Sequence, residues 1–254
     1  MKSKFFLLFL LFYNSYLCTS QIKNDLVKEN IIGAVKSIVE EEYVNNDGNI
    51  STGIPFKKIS NYNTKGYLTS VEYYEDTIKG KDIFKYDAIG NKTECQVYNY
   101  YFKTVEKCIY LFDKDKNQLH EKCYLENGNL YRTVLYNYNG KGNIISRIII
   151  NSDGTTRGQF LYKYDDKRNK MEEDQYSGSE VLSKYYHIYD SIGNEIKLIT
   201  SGADDKIIFR TTFKYENYDD LGNWIIKTRF TDNKQASKTT RVIKYWDIRK
   251  PLHN

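Results

Sequence analysis

The chain has 254 residues, 40% hydrophobic and 28% charged, with a formal net charge of +5. Tyr is the outlier: 25 Tyr and 12 Phe stand against 2 Pro. The mean hydropathy of −0.66 is polar for a folded protein, but disordered chains are poor in aromatic residues, so disorder is excluded. Without the first twenty residues, which hold Lys2 and Lys4 and no acid, the net charge falls to +3. No basic patch stands out along the chain, so neither nucleic acid nor anionic membrane is an expected partner.

Residues 1–20 read as a secretory signal peptide. Lys2 and Lys4 precede the apolar run from Phe5 to Phe12, and Cys18-Thr19-Ser20 offers small residues before Gln21. That is the charged, apolar and cleavage-site layout of an export signal. The apolar run is too short for a bilayer, which takes roughly 20 residues. An acylated Cys18 is the alternative, but Leu17 stands where a lipoprotein signal places a small residue. No later run approaches membrane length. The expected mature protein therefore has no transmembrane helix and is exported to the periplasm, the outer surface or the medium.

Residues 21–34 are the expected N-terminal cap segment, with Asn24 to Ile32 forming a short helix or irregular cap over a sheet edge. The alternation of Val35 to Tyr43 predicts a first strand. A β-repeat domain is expected over residues 35–249, and a tail over residues 250–254.

The repeat dominates the chain. Tyr86-Asp87-Ala88-Ile89-Gly90-Asn91 recurs as Tyr189-Asp190-Ser191-Ile192-Gly193-Asn194 and as Tyr218-Asp219-Asp220-Leu221-Gly222-Asn223. Looser copies begin at Tyr62, Phe112, Tyr138 and Tyr164, and a partial one is Tyr245-Trp246-Asp247. The period is about 26 residues, as expected of a repeat architecture. Asp or Asn opens a turn by accepting from nearby backbone, and Gly supplies the positive φ. Where Gly is missing, Asn117 and Asn169 are the candidates for that conformation. Asn127-Gly128, Asp153-Gly154, Ser177-Gly178 and Asp232-Asn233 mark a second turn in each period, with another expected near Lys79-Gly80. Each period is then two strands of roughly 8 residues.

Aromatic pairs precede the motifs at a spacing of two: Phe84/Tyr86, Tyr110/Phe112, Tyr136/Tyr138, Tyr162/Tyr164 and Phe213/Tyr215. That spacing places both rings on one strand face and predicts an aromatic ladder on the concave or interior side. The expected fold is all-β: antiparallel hairpin repeats in a long, twisted, coiling meander or an open partial barrel.

The tyrosine-aspartate-x-x-glycine-asparagine unit resembles the YD repeat of Rhs-type proteins. Gly33-Ala34-Val35-Lys36-Ser37-Ile38 also resembles the opening of small exported YD-repeat proteins of Gram-negative bacteria. The resemblance covers roughly residues 33–247. It implies antiparallel hairpins side by side in a coiling sheet, which in large members closes into a shell around a toxin domain. With about seven repeats and no domain after them, neither a closed shell nor a toxin payload is expected here. The resemblance also points to carbohydrate binding.

Few residues suggest chemistry. After the leader, Cys95, Cys108 and Cys123 remain. Neighbouring pairs flank successive turns, so all three are disulfide candidates in an exported protein, and the odd number leaves at least one unpaired. His187 fills a ladder slot, while His120 and His253 stand apart without metal-ligand spacing. No glycine-flanked nucleophile appears. The motif acids Asp87, Asp113, Asp165, Asp190 and Asp219 read as turn caps, not as the single carboxylate pair of a glycosidase or a calcium loop. No cofactor, metal or catalytic residue is expected. The candidate ligand contacts are Tyr100, Tyr101 and Phe102 at one turn, and Trp224 directly after a motif. The expected function is non-enzymatic: an exported β surface binding a glycan or protein at the cell envelope. The alternatives are an immunity or shell-like partner in interbacterial competition, and an unrecognised hydrolase.

Overall fold

Turn chemistry cuts the chain into short extended runs. A computed structural model describes residues 24–46, 49–50 and 53–247. The leader, Cys18 and His253 lie outside them. One helical turn, α1 (Asp25–Lys28), comes first. The strands are β1 (Val35–Asn46), β2 (Asn49–Ile50), β3 (Phe56–Tyr62), β4 (Leu68–Tyr74), β5 (Ile78–Tyr86), β6 (Lys92–Asn99), β7 (Thr104–Asp113), β8 (Gln118–Leu125) and β9 (Leu130–Tyr138). They continue as β10 (Ile144–Asn151), β11 (Thr156–Tyr164), β12 (Lys170–Ser177), β13 (Glu180–Tyr189), β14 (Glu195–Gly202), β15 (Ile207–Tyr218), β16 (Trp224–Thr231) and β17 (Lys234–Tyr245).

The motif turns work as their residues dictate. The Asp87 carboxylate accepts from the Ile89 and Asn91 backbone N–H groups and from the Asn91 side chain at 2.8–3.0 Å. Asp190 and Asp219 repeat the arrangement on Asn194 and Asn223. Gly90 holds φ +95°, where a Cβ would fall 1.8 Å from the Tyr67 hydroxyl. Asn117 takes the positive φ expected of it, but in the 164–169 copy Arg168 does so and Asn169 does not. There Asn169 bonds Asp165 through both backbone and side chain, and the preceding position absorbs the reversal. The turn expected near Lys79-Gly80 lies earlier, at Glu75 to Thr77. Gly80 sits within β5, where a Cβ would approach the Tyr98 carbonyl at 3.1 Å.

Many motifs are followed by a bulge. Register shifts set Tyr62 opposite Leu68, Tyr86 opposite Lys92, Tyr164 opposite Lys170 and Tyr189 opposite Glu195. A bulge opposes two residues to one and turns the extra residue off the normal alternation. The first residue after the motif thus joins the lead tyrosine on the inner face, while Thr93, Met171 and Ile196 are exposed.

The expectation of an open meander or partial barrel is wrong. The sheet is a closed antiparallel barrel of sixteen strands, with β2 only a short hairpin at the end of β1. β1 pairs β17 from Val35↔Tyr245 to Val44↔Ser237 and pairs β3 on its other edge. An even number of strands lets the last run antiparallel to the first. Closure removes both sheet edges, each of which would expose a row of unpaired backbone groups. It is reinforced inside by Glu40, which receives Arg241 of β17 at 2.8 Å and Lys58 of β3 at 3.2 Å.

The strand residues of the apolar core share one face, which is the barrel interior: Val35, Ile38, Tyr62, Val71, Cys95, Cys108, Cys123 and Val134. Cys108 and Cys123 are disulfide-bonded across β7 and β8, and Cys95 is a buried free thiol beside them on β6. Burial pushes the Cys95 thiol up to about 12. The two core clusters are small, and each lies among adjacent strands or under residues 26–35. A barrel of this strand number is wide enough for a lumen instead of a packed core.

Residues 24–34 cross the end that carries the motif turns. Asn24 caps α1 and donates to the Lys65 carbonyl at 2.8 Å, while Asn30 donates to the Ile192 carbonyl at 2.8 Å. Asn223 bonds Ile32 in both directions. One helical turn and its flanks thus join the β3–β4 turn to the β15–β16 and β13–β14 turns across the β17–β1 seam.

Candidate functional site

The inner wall is built from aromatic rungs and cations. The rungs stand on alternate strands, and residues of the intervening strand fill most of the gaps; Phe112 and Tyr138 of neighbouring rungs meet edge to face at 6.3 Å. The Lys92 ammonium lies 4.2 Å from the Phe84 ring centre and 5.9 Å from those of Tyr86 and Tyr110. Lys170 lies 5.5 Å from Tyr162. The Arg147 guanidinium lies 4.2 Å from Phe160. Lys227 sits between Phe213 and Trp224 at 5.9 and 5.1 Å. Such contacts attract a cation to the ring quadrupole, more strongly once water is excluded. Burial holds the Lys92 and Lys227 ammonium groups below the ordinary lysine range, and pushes the hydroxyls of Tyr86, Tyr110 and Tyr136 upward.

Carboxylates on this wall have fixed partners. Arg132 meets Glu106 at 2.6 Å, Lys170 meets Glu173 at 2.5 Å, and Tyr136 donates to Glu121 at 2.6 Å. Burial works to raise Glu40, but Arg241 and Lys58 outweigh it and hold the carboxyl below its usual range. His187 takes its ladder slot: its ring stacks on Tyr189, with Nδ1 2.5 Å from Glu195. Glu106, Cys108 and Cys123 lie within mutual reach, but both sulfurs are consumed by the disulfide.

The predicted ligand contacts fall at opposite ends of the barrel. Tyr100, Tyr101 and Phe102 form the β6–β7 turn, away from the motif turns, with Tyr101 76% and Phe102 69% exposed. Tyr101 and Phe102 meet edge to face, and Tyr100 stacks on Tyr98. Trp224 is instead packed inside the motif end, with the Arg241 guanidinium 3.3 Å from its ring centre. The inward cations Lys92, Arg147 and Lys227 were not singled out from the sequence. For Lys92, its place directly after the motif asparagine is the signal, once the bulge is known.

The outer wall carries ion pairs along its strands beside exposed apolar side chains such as Ile109, Leu111 and Val242. Glu94 of β6 meets Lys85 of β5 at 2.8 Å and Lys107 of β7 at 3.0 Å. Glu72 meets Lys81 at 2.7 Å and Lys163 meets Glu172 at 2.8 Å. No helix among the described residues is long and apolar enough to cross a membrane.

Fold and wall chemistry together define a closed antiparallel β-barrel with ion pairs and exposed apolar side chains on the outside and an aromatic, cation-bearing inside. No family model matches the chain, and no curated protein matches it. Among solved structures it is similar to a porin-like protein from Bacteroides uniformis, at 14% identity and a TM-score of 0.53, over 83% of this chain and 96% of that one. A porin-like protein from Bacteroides vulgatus has 10% identity and a TM-score of 0.39, over 84% and 99% of the two chains. A Tc holotoxin pore structure from Photorhabdus luminescens matches 73% of this chain and 14% of its own, at 11% identity and a TM-score of 0.19. The first likeness concerns the fold alone.

Proposed function

We propose that this chain is an exported, non-enzymatic binding barrel that works in water at the cell envelope, in the periplasm or outside the cell, and is not a transmembrane pore. The observation that carries this is the outer wall. A membrane barrel turns an apolar band about 25 Å tall to the lipid, and a Lys at the bilayer midplane costs about 2–4 kcal/mol. Here the ion pairs Lys85–Glu94–Lys107 and Lys163–Glu172 occupy outward positions within the strands. The aromatic inner wall and the exposed Tyr100-Tyr101-Phe102 turn are suited to a glycan or an envelope protein. The inner carboxylates are engaged by arginine, lysine or tyrosine, and Glu195 by His187, an arrangement that suits a structural role better than acid–base work.

The test is to express the chain with its own leader and fractionate the cells. The expected result is a monomeric barrel in the soluble exported fraction without detergent, with no conductance in planar bilayers and retention on an envelope glycan or protein matrix. Recovery only in detergent, with channel activity, would overturn the reading.

A further inference from the structure

Four arginines on the inner wall can be compared. Arg241 meets Glu40 at 2.8 Å, and Arg132 meets Glu106 at 2.6 Å. Arg229 bonds Ser237 at 3.1 Å and lies 3.6 Å from Glu42. Arg147 of β10 is the exception. It faces Tyr136 on one side and Phe160 on the other in the strand register. Its guanidinium lies over Phe160, and its Nε is buried without an acceptor. The nearby carboxylates are committed elsewhere: Glu173 to Lys170 and Glu121 to Tyr136.

A guanidinium is a rigid fork of donors matched to a carboxylate or phosphate. Burying such donors without an acceptor is costly, and cation–π contact satisfies the charge but not the N–H groups. An arginine packed over a ring with its donors unused is therefore set up to take an oxyanion. Its surroundings describe the rest of the ligand. The rings of Tyr136, Phe160 and Tyr162 offer apolar faces. The Tyr162 and Tyr164 rungs stand on the next odd strand, and Tyr162 makes no hydrogen bond within the described residues, unlike Tyr164, which is tied to Ile144. Apolar ring faces beside an unbonded hydroxyl suit a saccharide body.

We propose that Arg147 anchors an oxyanion site on the inner wall, and that the ligand is an anionic saccharide carrying a carboxylate or phosphate. This rests on the binding-barrel reading above and narrows its ligand class. The oxyanion takes the guanidinium fork, a sugar face lies on the adjacent rings, and Lys92 and Lys227 add positive charge elsewhere on the same wall.

The test is calorimetry on the mature chain with tri-galacturonate and glucose 6-phosphate as probes, maltotriose as a neutral control and inorganic phosphate as a bare oxyanion. One anionic saccharide should bind saturably, and Arg147→Met should weaken it roughly tenfold or more, as loss of hydrogen bonds to a charged group does. Lys163→Met, on the outer wall, should leave binding unchanged. Arg147→Lys keeps the charge and stem but loses the fork; it should also bind more weakly, and it serves if Arg147→Met fails to fold. Equal affinity of wild type and both Arg147 variants, or no saturable binding of any anionic probe, would overturn the site. Maltotriose binding that ignores Arg147 would overturn it too while leaving the glycan reading intact. Inorganic phosphate binding through Arg147, as tightly as the sugars, would keep the oxyanion site and remove the saccharide.

Discussion

The Tyr164 hydroxyl donates to the Ile144 carbonyl oxygen at 2.7 Å. The bond runs from the lead tyrosine of one motif back to the first strand residue after the previous motif. Tyr86 to Leu68 and Tyr189 to Lys170 repeat it at 2.9 and 3.0 Å, and Tyr215, three residues ahead of the motif at Tyr218, does the same to Glu195 at 2.8 Å. The motif tyrosine is thus a staple between repeats as well as an apolar lining. Tyr164→Phe should lower stability by about 1 kcal/mol, the net worth of such a bond. Tyr186→Phe, on the outer face, should have no effect. Urea denaturation midpoints at unchanged slope measure both.

The motif glycines predict a graded response. Gly90 and Gly222 have nearly the same φ, +95° and +87°. A Cβ at Gly222 meets nothing within 4 Å, whereas at Gly90 it overlaps the Tyr67 hydroxyl. Gly222→Ala should cost about 1–2 kcal/mol, the penalty for a left-handed residue. Gly90→Ala should cost more, because Tyr67 must also leave its stack on Tyr86, where the ring centres are 4.9 Å apart. Equal thermal shifts for the two variants would refute the steric account.

What could be read from the sequence follows the range of the interactions involved. The Asp87–Asn91 turn spans four residues, so its chemistry is visible in the motif itself. Closure rests on β1 meeting β17, with Glu40 and Arg241 separated by 201 positions. No local pattern announces such a pair. Lys92 was missed for a different reason: strict alternation takes no account of a bulge, and the bulge turns it inward. Trp224 looked exposed because it follows a turn, yet Arg241, distant in sequence, covers its ring. Tyr101 and Phe102, by contrast, are exposed at their turn, where the local sequence places them.

The Glu40–Arg241 pair makes closure testable. Both side chains are largely buried, at 18% and 11% exposure. Arg241→Met should destabilise the barrel by about 3–5 kcal/mol, chiefly by leaving a buried carboxylate with only Lys58. Adding Glu40→Gln should recover part of that loss, since the uncompensated charge is then gone. A double-mutant cycle from denaturant unfolding reads the coupling. Additive losses would show that the pair does not act as a unit in holding β1 to β17.

The N-terminal segment should respond to acid through Asp25. Its carboxylate accepts from the Leu68 N–H at 2.9 Å and from the Tyr86 hydroxyl at 2.8 Å, with Lys28 at 3.1 Å. Burial works to raise its pKa, but the Leu68 N–H, Lys28 and Tyr86 outweigh that and hold it below the ordinary 3.8. A carboxyl depressed on docking binds fewer protons docked than free. Its contribution is therefore fully present above the free-chain pKa of about 3.9 and is lost as pH falls through the lower docked value. Between about pH 5 and pH 2, residues 24–34 should loosen before the rest of the barrel. Hydrogen exchange at the Leu68 amide, corrected for its intrinsic pH dependence, should report this. Asp25→Asn keeps an acceptor for Leu68 but no charge to titrate, so its exchange should be faster at neutral pH and flat across the same window. An acid response in Asp25→Asn as steep as that of the wild type would assign the effect to other groups.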